Sequence, residues 1–245
     1  MKIVAVIPAR YKSTRFPGKP LADICGKPMI WWVYNQVKKS KKINDIYVAT
    51  DDERIAQVCR DFSMNYVMTS DNLPEHISRV HEVSRNIKAD YYVCINGDEP
   101  LVSAENIDNV IPDESMKRVY YRGAVRKLTD PAETIDFANL KVVLNEDMRG
   151  IYMSRTPVPY PRGTLLFSYY KYVGIECFTK EGLDFFVSTR QGVNERIEDI
   201  DHLRFIENGK EIYFTLVNSD SISVDTPKDL EKVILLIKEK MQMEN

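Results

Sequence analysis

The stretch 2–20, KIVAVIPARYKSTRFPGKP, constrains the fold more than any other part of this chain. Residues 2–7 form a short apolar run rich in β-branched side chains, which predicts a strand buried on both faces at the centre of a parallel sheet. Pro8 is expected to end it. The loop that follows carries Arg10, Ser13, Thr14, Arg15 and Lys19 around a Pro17-Gly18 turn. In open α/β sheets ligands lie beyond the carboxyl ends of the strands, so these cations are expected where a substrate binds. A guanidinium grips phosphate oxygens in pairs and an ammonium acts as a point charge, a combination suited to a polyphosphate. A solvated basic turn is the alternative, and the strand-end position argues against it. The loop matches neither a Walker sequence nor a dinucleotide fingerprint.

Beyond the loop the pattern alternates. A helix carries Ile30, Val33, Tyr34 and Val37, a strand spans 46–50, and a helix capped by Asp51-Asp52 spans 53–62. A short strand at 66–68, a helix with Val80, Val83 and Ile87, and a strand at 91–95 complete the first half. This order predicts an α/β fold with a doubly wound, mostly parallel sheet of Rossmann-like nucleotidyltransferase type. Strands expected at 120–128, 140–144, 151–154 and 169–178 suggest a β-rich insertion over about 119–195 within a single domain spanning 1–245. A helix over 195–207, a strand over 211–217 and a last helix opened by Thr226-Pro227 close the chain.

With 44% hydrophobic residues the chain can bury a substantial core, and 34 basic against 36 acidic residues leave a formal charge of −2. That balance implies no general attraction to nucleic acid, so phosphate binding must be local. Cys25, Cys59, Cys94 and Cys177 form no close pair, which fits reduced thiols in a cytoplasm. No run approaches the ~20 apolar residues of a membrane span, and no signal peptide precedes the first strand, so a cytoplasmic protein without membrane insertion is expected. The three histidines, His76, His81 and His202, show no zinc-ligand spacing.

Asp98, in the stretch INGDEP, follows the fourth expected strand and should stand at the same sheet edge as the basic loop. Magnesium takes oxygen ligands, often one or two carboxylates with phosphate oxygens, and Asp225 in SVDTP is the candidate second carboxylate. From the residues alone, a helix cap at Asp225 and a turn at Asp98 are equally acceptable.

The words PARYKSTRFPGKPL, INGDEP, VVLNED, IYMSRTPVPYPR and SVDTPKDLEKV, in this order, resemble the 3-deoxy-manno-octulosonate (Kdo) cytidylyltransferases, also called CMP-Kdo synthetases. The resemblance implies transfer of CMP from CTP to a small acceptor with release of pyrophosphate, and a homodimer formed through the β-rich segment 119–195, which would also shape the acceptor pocket. It implies that Pro8, Ala9, Arg10, Ser13, Arg15, Lys19, Arg79 and Asn96 bind the nucleotide, with Arg10, Lys19 and Asp98 catalytic. Asp98 and Asp225 would hold Mg²⁺, and Arg155 would contact an anion. Asn96 stands where the family usually has Gln.

The acceptor half departs from the family. Its H-x-S-G-T-D-R loop reads LPEHISR over 73–79, its His-x-Gly-Ile-Tyr word reads Tyr172-Val173-Gly174-Ile175-Glu176, and its Glu-Gln-Leu-Arg word reads Asp201-His202-Leu203-Arg204. These changes alter donor pattern and charge, so plain Kdo is expected to fit poorly. Tyr172, Glu176, Asp201 and His202, with Arg155, are the candidate acceptor residues. A modified acid sugar, or an alcohol or phosphate derived from an amino acid, is the expected acceptor. An unaltered CMP-Kdo synthetase and a non-catalytic nucleotide-binding protein are the alternatives.

Overall fold

The computed structural model describes residues 1–12, 16–73, 75–113, 119–218 and 222–243. Strand β1 (Ile3–Ala9) lies mid-sheet, with Val4 to Ile7 fully buried. Burying such Val and Ile side chains contributes about 1.5–3 kcal/mol each. Pro8 does not end the strand: pairing with β4 (Asp45–Thr50) continues through Pro8 opposite Ala49 and Ala9 opposite Thr50. Pairing with β6 (Tyr91–Ile95) has already stopped at Val6, so a residue lacking an N–H is tolerated there.

A small hairpin, β2 (Asp23–Ile24) and β3 (Lys27–Pro28), precedes α1 (Met29–Val37). Helix α2 (Glu53–Asp61) is capped by Asp52, whose carboxylate accepts from the Arg54 amide at 3.0 Å. The first half continues with β5 (Tyr66–Met68), α3 (His76–Asn86) before β6, and α4 (Ala104–Val110) after it. The second half holds β7 (Tyr121–Lys127), α5 (Pro131–Ile135), β8 (Lys141–Leu144), β9 (Gly150–Ser154) and β10 (Tyr170–Phe178). It ends with α6 (Lys180–Ser188), α7 (Val193–Glu198), α8 (Leu203–Glu207), β11 (Ile212–Leu216) and α9 (Pro227–Met243).

The central sheet has the order β11-β7-β10-β6-β1-β4-β5, and only β10 runs against its neighbours along this path. Alternate residues of β1 serve two cores. Ile3, Ala5 and Ile7 pack with α1, α2 and α4, whereas Val4 and Val6 pack with α3, α6 and α8. The sheet is therefore doubly wound and mostly parallel, as the alternation predicted.

Three expectations need correction. Of the four strands expected in an insertion, β7 and β10 are part of the central sheet path, and only the β8–β9 hairpin lies off it. Helices α4 and α6 were not anticipated, although Ser103 and Thr179 cap them through side-chain oxygens. The helix expected over 195–207 is broken, because Asp199 adopts a left-handed backbone with φ 53° and separates α7 from α8. No helix among the described residues is long and apolar enough to cross a membrane.

Candidate active site

The parallel order brings the ends of β1 and β6 to one edge. Gly97 is required there, since a Cβ at this position would lie 2.6 Å from the Pro8 carbonyl oxygen. Only a glycine lets the loop that carries Asp98 pass so close to the end of β1. The Gly18 amide donates to the Tyr11 carbonyl at 2.9 Å, with Gly18 at φ 71°. Lys19 then points inward. Its Nζ donates to Asp98 Oδ2 at 2.5 Å and lies 3.4 Å from Asp225 Oδ1.

Asp225 reaches this edge because the Val224 amide donates to the Asp98 carbonyl at 2.9 Å. Capping of α9 falls to Thr226, which exchanges hydrogen bonds with Asp229, so the cap reading of Asp225 is not the one the structure favours. Asp98 Oδ1 is buried and lacks a hydrogen-bond partner among the described residues. Two carboxylates around one ammonium, one of them with an unsatisfied buried oxygen, form a donor set that fits a hard divalent cation.

A cleft of about 550 Å³ opens from this pair and is lined by Pro8, Ala9, Arg10, Lys19, Arg79, Asn96, Asp98 and Asp225 on one side. Ser13, Thr14 and Arg15 lie outside the described residues. Arg79 is almost fully buried, its guanidinium on Asp51 Oδ2 at 3.1 Å and on the Thr69 hydroxyl, an internal ion pair at the edge of the cleft.

The other side of the cleft holds Glu75, His76, Leu140, Tyr172, Gln191, Asp199, Asp201 and His202. Because β10 runs against β6, Tyr172 and Glu176 enter from the acceptor side, with Glu176 opposite Cys94. Glu176 is 1% exposed and does not line the cleft directly. His76 Nε2 lies 2.9 Å from its Oε2, the Tyr172 hydroxyl donates to Oε1 at 2.8 Å, and His202 Nε2 makes a short contact to Oε1. Behind His76, Asp201 Oδ2 lies 3.4 Å from Nδ1.

Burial opposes charge on Glu176, but His76 and His202 outweigh it and hold the carboxyl far below its ordinary range. Burial also opposes charge on His76, yet Glu176, Asp201 and Glu75 push the imidazole up to about 9. Burial raises the Asp201 carboxyl, with the two imidazoles pulling the other way. His76 gave no spacing signal. The helix start and the turn before α8 bring it and His202 to the same carboxylate.

The broken helix accounts for the rest. Arg204 pairs with Glu195 and reaches Glu75 Oε1 at 3.0 Å, which fixes the start of α3 and hence His76. Arg155 is not a cleft residue. Its Nε donates to the Glu198 carbonyl at 2.6 Å and its Nη2 to the Asp199 carbonyl at 3.0 Å, a cation on the carboxyl end of α7. Arg155→Ala is therefore expected to cost about 1–2 kcal/mol of stability while leaving the KM for the acceptor unchanged. Thermal melting and initial rates check this; an unchanged melting temperature with a raised acceptor KM would return Arg155 to the pocket.

Cations beyond the end of β1, a carboxylate beyond β6 and a second one from the segment before α9 are an arrangement suited to a nucleotidyltransferase. The sequence profile described as "Cytidylyltransferase" matches residues 4–212. The chain belongs to this cytidylyltransferase family. It is 38% identical over 242 residues to a 3-deoxy-manno-octulosonate cytidylyltransferase of Koribacter versatilis (strain Ellin345), covering 95% of this chain and 89% of that protein. It is 36% identical over 242 residues to an 8-amino-3,8-dideoxy-manno-octulosonate cytidylyltransferase of Shewanella sp. (strain ANA-3), covering 95% and 97%. A solved CMP:2-keto-3-deoxy-manno-octonic acid synthetase complexed with CTP superposes with a TM-score of 0.92 at 33% identity, covering 98% of this chain and all of that one. This protein is thus a nucleotidyltransferase that uses CTP.

Proposed function

We propose that this enzyme transfers CMP from CTP to a small acid sugar that carries an amine. The observation behind this reading is the sign of charge on the acceptor side. Glu75, Asp199 and Asp201 line it beside His76 and His202, and no Lys or Arg is among the described lining residues on that side. An ammonium meeting such a surface gains charge-assisted hydrogen bonds that a hydroxyl makes only weakly. Glu176 is sealed behind His76, so Asp201, with 23% of its side chain exposed, is the better placed carboxylate. The relative named for an 8-amino sugar acid supports the same reading.

On the nucleotide side, Arg10 and Lys19 orient the triphosphate, and Asp98 and Asp225 would hold Mg²⁺. When bound, that ion supplies Lewis-acid stabilisation of charge on the phosphate oxygens. An acceptor oxygen attacks the α-phosphorus, a new P–O bond forms, and the bond to pyrophosphate breaks. Fixed positions of both reactants provide much of the acceleration. Pyrophosphate release should be measured with CTP and a panel pairing Kdo with its 8-amino analogue, together with amino alcohols and their phosphates. The amine-bearing sugar is expected to exceed plain Kdo in kcat/KM by at least about tenfold. Faster turnover of plain Kdo would make this an unaltered Kdo enzyme.

A further inference from the structure

We propose that His76, Glu176 and His202 form a binding site for a divalent transition-metal cation of the zinc class, separate from the Asp98–Asp225 pair. The three donors come from the start of α3, from β10 and from the turn before α8, and their ligating atoms all lie within 4.8 Å of one another. Two imidazole nitrogens and one carboxylate oxygen are a borderline donor set, which favours Zn²⁺ or Co²⁺ over Mg²⁺. The Asp98–Asp225 pair offers only oxygen and selects the opposite class.

The surroundings fit the same chemistry. Asp201 stands behind His76 Nδ1 at 3.4 Å, the arrangement that orients a metal-binding imidazole and raises its basicity. The Tyr172 hydroxyl fixes the Glu176 carboxylate at 2.8 Å. His202 is 3% exposed and presents Nε2 to the Glu176 carboxylate. His76 is 30% exposed and borders the cleft, which leaves one side of the cluster open for water or a donor atom of the acceptor.

Donors around a zinc-class ion at about 2.0–2.2 Å stand roughly 3–3.5 Å apart, so the carboxylate–imidazole contacts lengthen and the wider separations, all within 4.8 Å, close as the ion enters. Protons that now bridge imidazole and carboxylate would leave as the cation enters. An acceptor with neighbouring amine and hydroxyl groups could complete the coordination, yet the site itself does not depend on which acceptor is used.

The test uses the full chain after treatment with a chelator, with Co²⁺ as the probe and neither CTP nor acceptor present. One Co²⁺ per chain is expected, with the intense visible bands of a four- or five-coordinate ion, displaced by Zn²⁺ but not by millimolar Mg²⁺. His76→Gln and Glu176→Gln should each weaken Co²⁺ binding at least about tenfold, while Asp98→Asn leaves the bands unchanged. His76→Gln alters a partly exposed ring, and circular dichroism shows whether each variant is folded. Absence of the bands, undiminished binding in folded His76→Gln, or loss of the bands in Asp98→Asn would each overturn the proposal.

Discussion

Asp98→Asn is expected to lower kcat for cytidylyl transfer by about a thousandfold while the protein melts within a few degrees of wild type. Asn keeps the size of the side chain and one oxygen for Lys19, but loses the charge that a divalent cation requires. Asp98 Oδ1 has no protein partner among the described residues, so nothing in the fold depends on that oxygen. The Lys19–Asp98 pair is partly solvated, at 13% and 22% side-chain exposure, and weakening it should cost less than about 1 kcal/mol. Catalysis depends on charge at this spot far more strongly, because removing one preorganised electrostatic contact typically costs a factor of about 10²–10³, and a metal ligand more. Pyrophosphate release, thermal melting and calorimetric titration with CTP separate the two effects. Wild-type turnover in folded Asp98→Asn would remove Asp98 from the chemistry.

Glu176→Gln should destabilise the protein by about 3 kcal/mol near pH 6, through the loss of a fully buried charge that two imidazoles and a phenol surround. The sign with pH follows from the shifts. Glu176 is depressed in the folded state, so its contribution is present above the ordinary carboxyl range and is lost as pH falls below it. His76 is raised from 6.5 to about 9, so its contribution is complete below 6.5 and is lost as pH rises through about 9. Stability from the cluster is therefore greatest between about pH 5 and 6.5, and wild type should lose about 1–2 kcal/mol of it by pH 9, discounted for the partial exposure of His76. In Glu176→Gln that alkaline loss should largely vanish. Urea unfolding at pH 6 and pH 9 measures both quantities, and equal pH dependence in the two proteins would show that Glu176 does not hold the proton on His76.

Much of this architecture could be read from local pattern. The β-branched run of β1, the helical spacing of Ile30, Val33 and Val37, and Thr226-Pro227 before α9 each act within a few residues, where sterics and hydrogen bonding decide the outcome. The nucleotide side was legible for the same reason. Once β1 and β6 are parallel neighbours, the residues that follow them must share an edge, and this brings Lys19 to Asp98 across 79 positions.

The acceptor side could not be read in this way. Glu176 acquires its partners from positions 100 and 26 residues away, and nothing in the spacing of His76 or His202 marks them as neighbours. Arg155 lies in a word that suggested an anion contact, yet Asp199 breaks the helix and Arg155 binds the carbonyl oxygens exposed there. The sequence by itself determined the strand-and-helix alternation and which side chains stand at the strand ends, because those depend on local periodicity and one topological rule. Only the tertiary structure decided which buried charges meet, because desolvation makes an isolated buried charge so costly that its partners are set by packing between distant elements.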